Sequence, residues 1–212
     1  MAAGEARPIG PDDLRRGVVA VATHFGTDTV YVIGSQALLV TSDDIARDLR
    51  FSEEIDVYAG NSRAWEAERA GSEASEEIHA LFGEGSDFHV AFGFFLDGVD
   101  ETTARLPPDW MDRAVRKAFT DDEGRQITAI APSAADLVAA KLVRGDEKDL
   151  EFAARCIGMG LARNADIKSA LEKTLSGERL VIALRLVDRA ARLKNISRRT
   201  QRRGSPFISP GN

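Results

Sequence analysis

The sequence predicts an α/β protein: a mixed β-sheet flanked by helices over residues 1–131, a helical region over 132–195, and a basic tail over 196–212. Three observations carry this reading. Thr29-Val30-Tyr31-Val32-Ile33 is a β-branched and aromatic run closed by Gly34, the mark of a strand. Glu54-Ile55-Asp56-Val57-Tyr58 alternates polar and apolar residues without a break, as a strand with one buried face does. From Ser133 onward the apolar spacing changes from strand to helix period.

Taken in order, Pro11-Asp12-Asp13 followed by Leu14, Val18, Val21 and Phe25 reads as an amphipathic helix stopping near Gly26. After the first strand, Gln36 to Val40 reads as the opening turns of a helix. Ser62 to Leu81, rich in Ala and Glu, is expected to be one helix. Phe88 to Leu96 reads as a long apolar strand, buried on nearly both faces. Pro107-Pro108-Asp109 is a break. Ala114 to Phe119 and Gln126 to Ile130 are short strands about the turn Asp121 to Gly124. Ser133 to Arg144 is a helix with a Ser133–Asp136 capping box. Asp146 can cap a second helix to about Ile157. Asp166 to Leu175 and Glu178 to Leu193 give two more, and the Arg, Ser, Gly and Pro content after Asn195 suggests a disordered tail.

Composition narrows the class. In 212 residues, 43% apolar and 29% charged is the balance of a soluble globular chain. One cysteine, Cys156, excludes an internal disulfide framework, and His24, His79 and His89 show no zinc-ligand spacing. No run approaches the roughly 18 apolar residues of a membrane span, and the N-terminus has no apolar signal core, so the expected location is cytoplasmic. The net charge is −6, yet from Arg189 onward there are seven basic residues and no acidic one. An acidic body with a basic tail suits contact with nucleic acid, RNA included, or with anionic partners; a solvated terminus is the alternative.

The chemistry concentrates in two segments. Gly34 after a strand allows a sharp turn and close approach to a ligand, and Ser35 then opens a helix whose free N–H groups suit a phosphate. On the next strand Glu54 and Asp56 share a face, about 7 Å apart along the chain, while Ile55 and Val57 pack on the other. Two such carboxylates can hold Mg²⁺ or Mn²⁺ together with substrate phosphates. Each piece alone is common: a Gly-Ser loop, or the solvated face of an edge strand.

Their order, strand, Gly-Ser, helix, then acid-x-acid on the next strand, resembles the nucleotidyltransferase superfold of polymerase-beta type. Leu49-Arg50-Phe51-Ser52-Glu53-Glu54-Ile55-Asp56 is similar to a segment of the AbiE-type toxin nucleotidyltransferases and their uncharacterised bacterial relatives. So are Asp136-Leu137, Lys141-Leu142 and Glu147-Lys148-Asp149 downstream. Gly93 to Val99, Leu106-Pro107 and Asp109-Trp110 match the uncharacterised relatives better.

The resemblance, over about residues 29 to 157, implies a nucleotidyltransferase-like fold and a Mg²⁺-dependent transfer of a nucleoside monophosphate from a nucleoside triphosphate to a hydroxyl of RNA or protein. It implies Glu54 and Asp56 as metal ligands, Gly34, Ser35, Lys141 and Lys148 as phosphate-binding groups, and a toxin–antitoxin or phage-defence setting with an antitoxin partner. Glu54 stands where aspartate is commoner. The third carboxylate has no clear match: Asp97, at the end of the apolar strand, is the better choice over Asp87, and His89 is the alternative base or a core residue. Lys141 and Lys148 are either phosphate ligands or solvated helix lysines. A binding module that keeps the fold without catalysis is the rival function, and a small-molecule nucleotidyltransferase is the third.

Overall fold

A computed structural model describes the backbone of residues 7–203 and side chains as far as residue 193. Five strands form one sheet: β1 (Thr29–Val32), β2 (Glu54–Ala59), β3 (Phe95–Gly98), β4 (Val115–Thr120) and β5 (Gln126–Ala131), in the order β3-β2-β1-β5-β4. The sheet is mixed. β1 runs antiparallel to β2 and parallel to β5, β2 is parallel to β3, and β4 is antiparallel to β5.

Alternation in β2 sets the register. Ile55 and Val57 are fully buried on one face with Val30 and Val32 of β1, so Glu54, Asp56 and Tyr58 must share the other. The apolar face is covered by α1 (Pro11–Phe25), through the fully buried Leu14, Val18 and Val21. Asp13 starts that helix by accepting from the Gly10 N–H and from both guanidinium nitrogens of Arg7, and Gly26 ends it in the left-handed region at φ 64°.

Three expectations are corrected. Phe88 to Leu96 is not one strand: α5 (Asp87–Phe92) is capped by the Ser86 hydroxyl, Gly93 ends it at φ 69°, and only then does β3 begin. Phe88 and Phe92, four apart, meet at 4.9 Å and Phe88 meets Phe94 at 5.2 Å, while Val90 is 69% exposed. The rings of Phe88, Phe92 and Phe94 meet on one side while Val90 faces solvent, as on a short surface helix, a pattern that a short and largely apolar run conceals. Ser62 to Leu81 is two helices, α3 (Ser62–Ala67) and α4 (Ala74–Phe82), separated at Gly71. The Glu66 carboxylate accepts from the Ala74 N–H and so fixes the second start.

The C-terminal helices are α6 (Ala134–Arg144), α7 (Glu147–Met159), α8 (Asn164–Thr174) and α9 (Gly177–Arg203). Ser133 caps α6 as expected, with its hydroxyl donating to Asp136 and accepting from the Asp136 N–H. Asp146 precedes α7 without a side-chain cap bond; its carboxylate faces Arg144 at 3.3 Å. The third correction is the last helix, which runs ten residues past the expected end at Leu193, through Arg203. The rest of the expected disordered tail, 204–212, and the basic side chains from 194 on lie outside the described residues. One apolar core extends from Ile9 to Ala190 through sheet and helices alike. No helix among the described residues is long and apolar enough to cross a membrane.

Between β1 and β2 the short α2 (Leu38–Thr41) follows a 3-10 turn over Ser35–Ala37. In that turn Gln36 is 1% exposed, and neither its amide nitrogen nor its oxygen meets a hydrogen-bond partner among the described residues. Burying an unpaired amide costs roughly 1–3 kcal/mol. Gln36→Met, of similar shape, is therefore expected to raise the unfolding free energy by an amount within that range. Urea denaturation measures it, and a loss of stability would show that the amide is satisfied in solution.

Candidate active site

The end of β1 is tied to β2 by the Ile33 N–H, which donates to the Asp56 carbonyl at 2.9 Å. The next residue, Gly34, adopts φ 67°, ψ −164°, a region open essentially to glycine alone. Its α-carbon sits so close to the Asp56 carboxylate that a Cβ there would overlap Oδ2. Gly34 thus provides both the turn and the space for the acid.

Asp56 is flanked by like charge. Glu54 lies two residues back on the same face, and Asp97 of β3 is its direct cross-strand neighbour. Burial first, then Glu54 and Asp97, push the Asp56 carboxyl up to about 6, with Lys141 acting in the opposite sense. Glu54 is exposed and Asp97 41% exposed. Asp97 also faces His79 of α4, with Nδ1 3.9 Å from Oδ1.

Gly34 and Asp56 open into a cleft of about 420 Å³ between the sheet and α6. Its cationic wall is Lys141 and Arg144 of α6, Arg179 of α9, and Arg105 from the loop after β3. Lys141 is not a solvated lysine: its side chain is 16% exposed, its ammonium lies 5.0 Å over the Phe152 ring and 4.0 Å from Asp149. Burial lowers its pKa, and Asp149 and Asp56 pull the other way. Asp149, itself buried, holds Arg144 through two hydrogen bonds of 2.8 and 2.6 Å. Asp136 likewise takes both a cap bond and the Arg113 guanidinium.

The structure brings Gly34, Asp56 and Lys141 together, with Glu54 and Asp97 beside Asp56. Ser35, half-buried, opens the 3-10 turn behind the cleft, and Lys148 is exposed on α7; neither forms part of the cleft wall. His89 lies on α5, where its Nδ1 accepts from the Gly85 N–H, so it is neither a strand-core residue nor a neighbour of the cleft. Asp87 opens the same helix. Among the described residues no three His, Cys, Asp or Glu side chains are gathered so as to hold a metal alone. Mg²⁺ is commonly bound by one or two carboxylates plus substrate phosphates and water. A pair of acids beside a glycine turn and a cationic wall fits that mode, in which metal and nucleotide bind together.

Sequence reasoning missed Arg105, Arg144 and Arg179. Arg144 could have been found, because it lies three residues after Lys141 and so on the same side of a helix. Arg105 and Arg179 reach the cleft only through tertiary contacts, from a loop and from α9.

A mixed sheet carrying an acid pair beside a Gly-Ser turn, backed by helices that supply cations, defines the nucleotidyltransferase-like class of α/β proteins. Residues 17–155 match the family described as nucleotidyltransferase of unknown function, DUF6036, and the chain belongs to that family. No curated protein and no solved structure matches the chain.

Proposed function

We propose that the protein is a Mg²⁺-dependent nucleotidyltransferase that moves a nucleoside monophosphate from a nucleoside triphosphate to an acceptor hydroxyl. The observation that carries this is the Gly34 turn pressed against the Asp56 carboxylate at the mouth of a cationic cleft. Asp56 and Glu54 hold the metal, which would neutralise charge on the reacting phosphate. The turn at Gly34 admits the phosphates closely, and Lys141, Arg105 and Arg179 offset their charge. The acceptor oxygen forms the new bond to the α-phosphorus as the bond to the bridging oxygen breaks, and pyrophosphate leaves with the electron pair. Asp97, beside Asp56 on the same sheet face, takes the proton of the acceptor hydroxyl.

The acceptor is an RNA or a protein hydroxyl. The resemblance to AbiE-type toxins supports a toxin–antitoxin or phage-defence setting with an antitoxin as partner, and the basic residues after Arg189 supply RNA contacts. A second reading, a nucleotide-binding module without transfer, is favoured by the exposure of Asp97 and its pairing with His79.

Thermal denaturation tests the nucleotide site. Mg²⁺ with ATP at about 100 times its dissociation constant contributes roughly 2.7 kcal/mol, a rise in Tm of about 5–10 °C for a chain of this size. Asp56→Ala is expected to abolish that rise and still fold. An unchanged rise in the variant would place the nucleotide elsewhere.

A further inference from the structure

On the face of the sheet that carries Asp56, the next residue along β2 is Tyr58, about 7 Å further on. Its cross-strand partner is Tyr31 of β1, and the two rings stack with centroids 4.5 Å apart and planes 8° from parallel. Trp110, the first residue of a 3-10 turn (Trp110–Arg113) before β4, meets Tyr31 edge-on at 6.1 Å. All three rings are half-buried, and neither phenol hydroxyl has a hydrogen-bond partner among the described residues. The rings line a second cavity, of about 440 Å³, with Asn61, Arg63 and Glu101 at its edge. Arg63 and Glu101 form an ion pair, so the charges of the lining side chains cancel, and a further charge, that of Asp100, acts on the Tyr58 phenol from outside the lining.

We propose that this Tyr31–Tyr58–Trp110 shelf is the subsite that seats the base of the acceptor strand's terminal nucleotide. The proposal rests on the transferase reading above. A wall of aromatic rings and phenol hydroxyls whose lining charges cancel offers no ion pair to a phosphate or an ammonium; it suits a planar, uncharged, hydrogen-bonding ring. Stacking on such a surface contributes about 1–3 kcal/mol per base.

Position along the sheet selects the acceptor over the donor. β1 is antiparallel to β2, so Gly34 lies toward the Glu54 end of Asp56, and the shelf lies at the opposite end. In-line displacement needs the acceptor oxygen across the phosphorus from the leaving pyrophosphate. With the triphosphate held at Gly34, Lys141 and Arg179, an acceptor entering over Tyr58 arrives from that side. Its ribose hydroxyl oxygen bonds to the α-phosphorus, pyrophosphate departs into the cationic cleft, and the proton passes to Asp97.

The test uses the full chain carrying Trp65→Phe, which leaves Trp110 as the sole tryptophan. A short single-stranded oligoadenylate RNA is expected to quench Trp110 fluorescence saturably, whereas Mg²⁺–ATP alone is not. In the otherwise wild-type chain, Tyr58→Ala and Trp110→Leu should each weaken binding of a fluorescein-labelled oligoadenylate by about tenfold, read by anisotropy. Both should keep the Mg²⁺–ATP rise in Tm. Oligoadenylate binding that ignores both variants, in a protein still stabilised by Mg²⁺–ATP, overturns the shelf alone. Quenching by Mg²⁺–ATP, with loss of its Tm rise in Trp110→Leu, also overturns it, because the shelf would then hold the donor's base. Absence of an Asp56-dependent Mg²⁺–ATP rise in the wild-type chain overturns the transferase reading beneath it.

Discussion

Asp56→Asn should make the metal-free protein more stable at about pH 7.5, even though it removes the central acid of the site. The sign follows from proton linkage. The Asp56 carboxyl has an ordinary value of 3.8 and is raised to about 6 in the folded chain. The native state therefore holds the proton more tightly than the unfolded state. The resulting stability is fully present below about pH 3.8 and is lost as pH rises through 6. Above that window the charged, buried acid costs about 3 kcal/mol. Replacing it with the neutral amide removes the cost, raising Tm by about 6–12 °C near pH 7.5 and changing little near pH 4. Calorimetric melting at the two pH values checks this; a variant less stable than wild type at both would contradict it. A group kept at such a cost in the absence of ligand fits a role in binding rather than in folding.

Gly34→Ala should act in the other direction. The backbone at Gly34 lies in a region that costs an alanine about 1–3 kcal/mol, and its Cβ would overlap the Asp56 carboxylate. Asp56 cannot retreat freely, because its strand neighbours Ile55 and Val57 are fully buried. The expected loss is about 3 kcal/mol or more, read by urea denaturation, together with loss of the Mg²⁺–ATP rise in Tm. A stable Gly34→Ala protein that still binds Mg²⁺–ATP would mean that the turn is not part of the phosphate site.

Legibility in the sequence tracked how local each signal was. β1, β2 and their turn were readable because strand alternation, a closing glycine and a paired acid all fall within 30 residues of one another. The Ser133 cap and the Gly26 stop were readable because caps are written in residues adjacent to the helix they end. The Phe88 to Leu96 run was misread because a short apolar segment does not distinguish a strand from a helix followed by a strand. Only the tertiary partners of Phe88, and the exposure of Val90, decide it. Tyr31 and Tyr58 read simply as strand formers; their stacking depends on the β1–β2 register, and Trp110 joins them from more than 50 residues away.

Transfer of a nucleotide at Asp56 is decided by following both ends of the triphosphate. The full chain is incubated with Mg²⁺ and ATP labelled at either the α- or the γ-phosphate, in the presence of total RNA and cell protein. The expected result is α-label, and no γ-label, in acid-insoluble material, with release of pyrophosphate and no incorporation by Asp56→Asn. Incorporation of γ-label, equal incorporation by the Asp56→Asn variant, or no incorporation into either RNA or protein would contradict it.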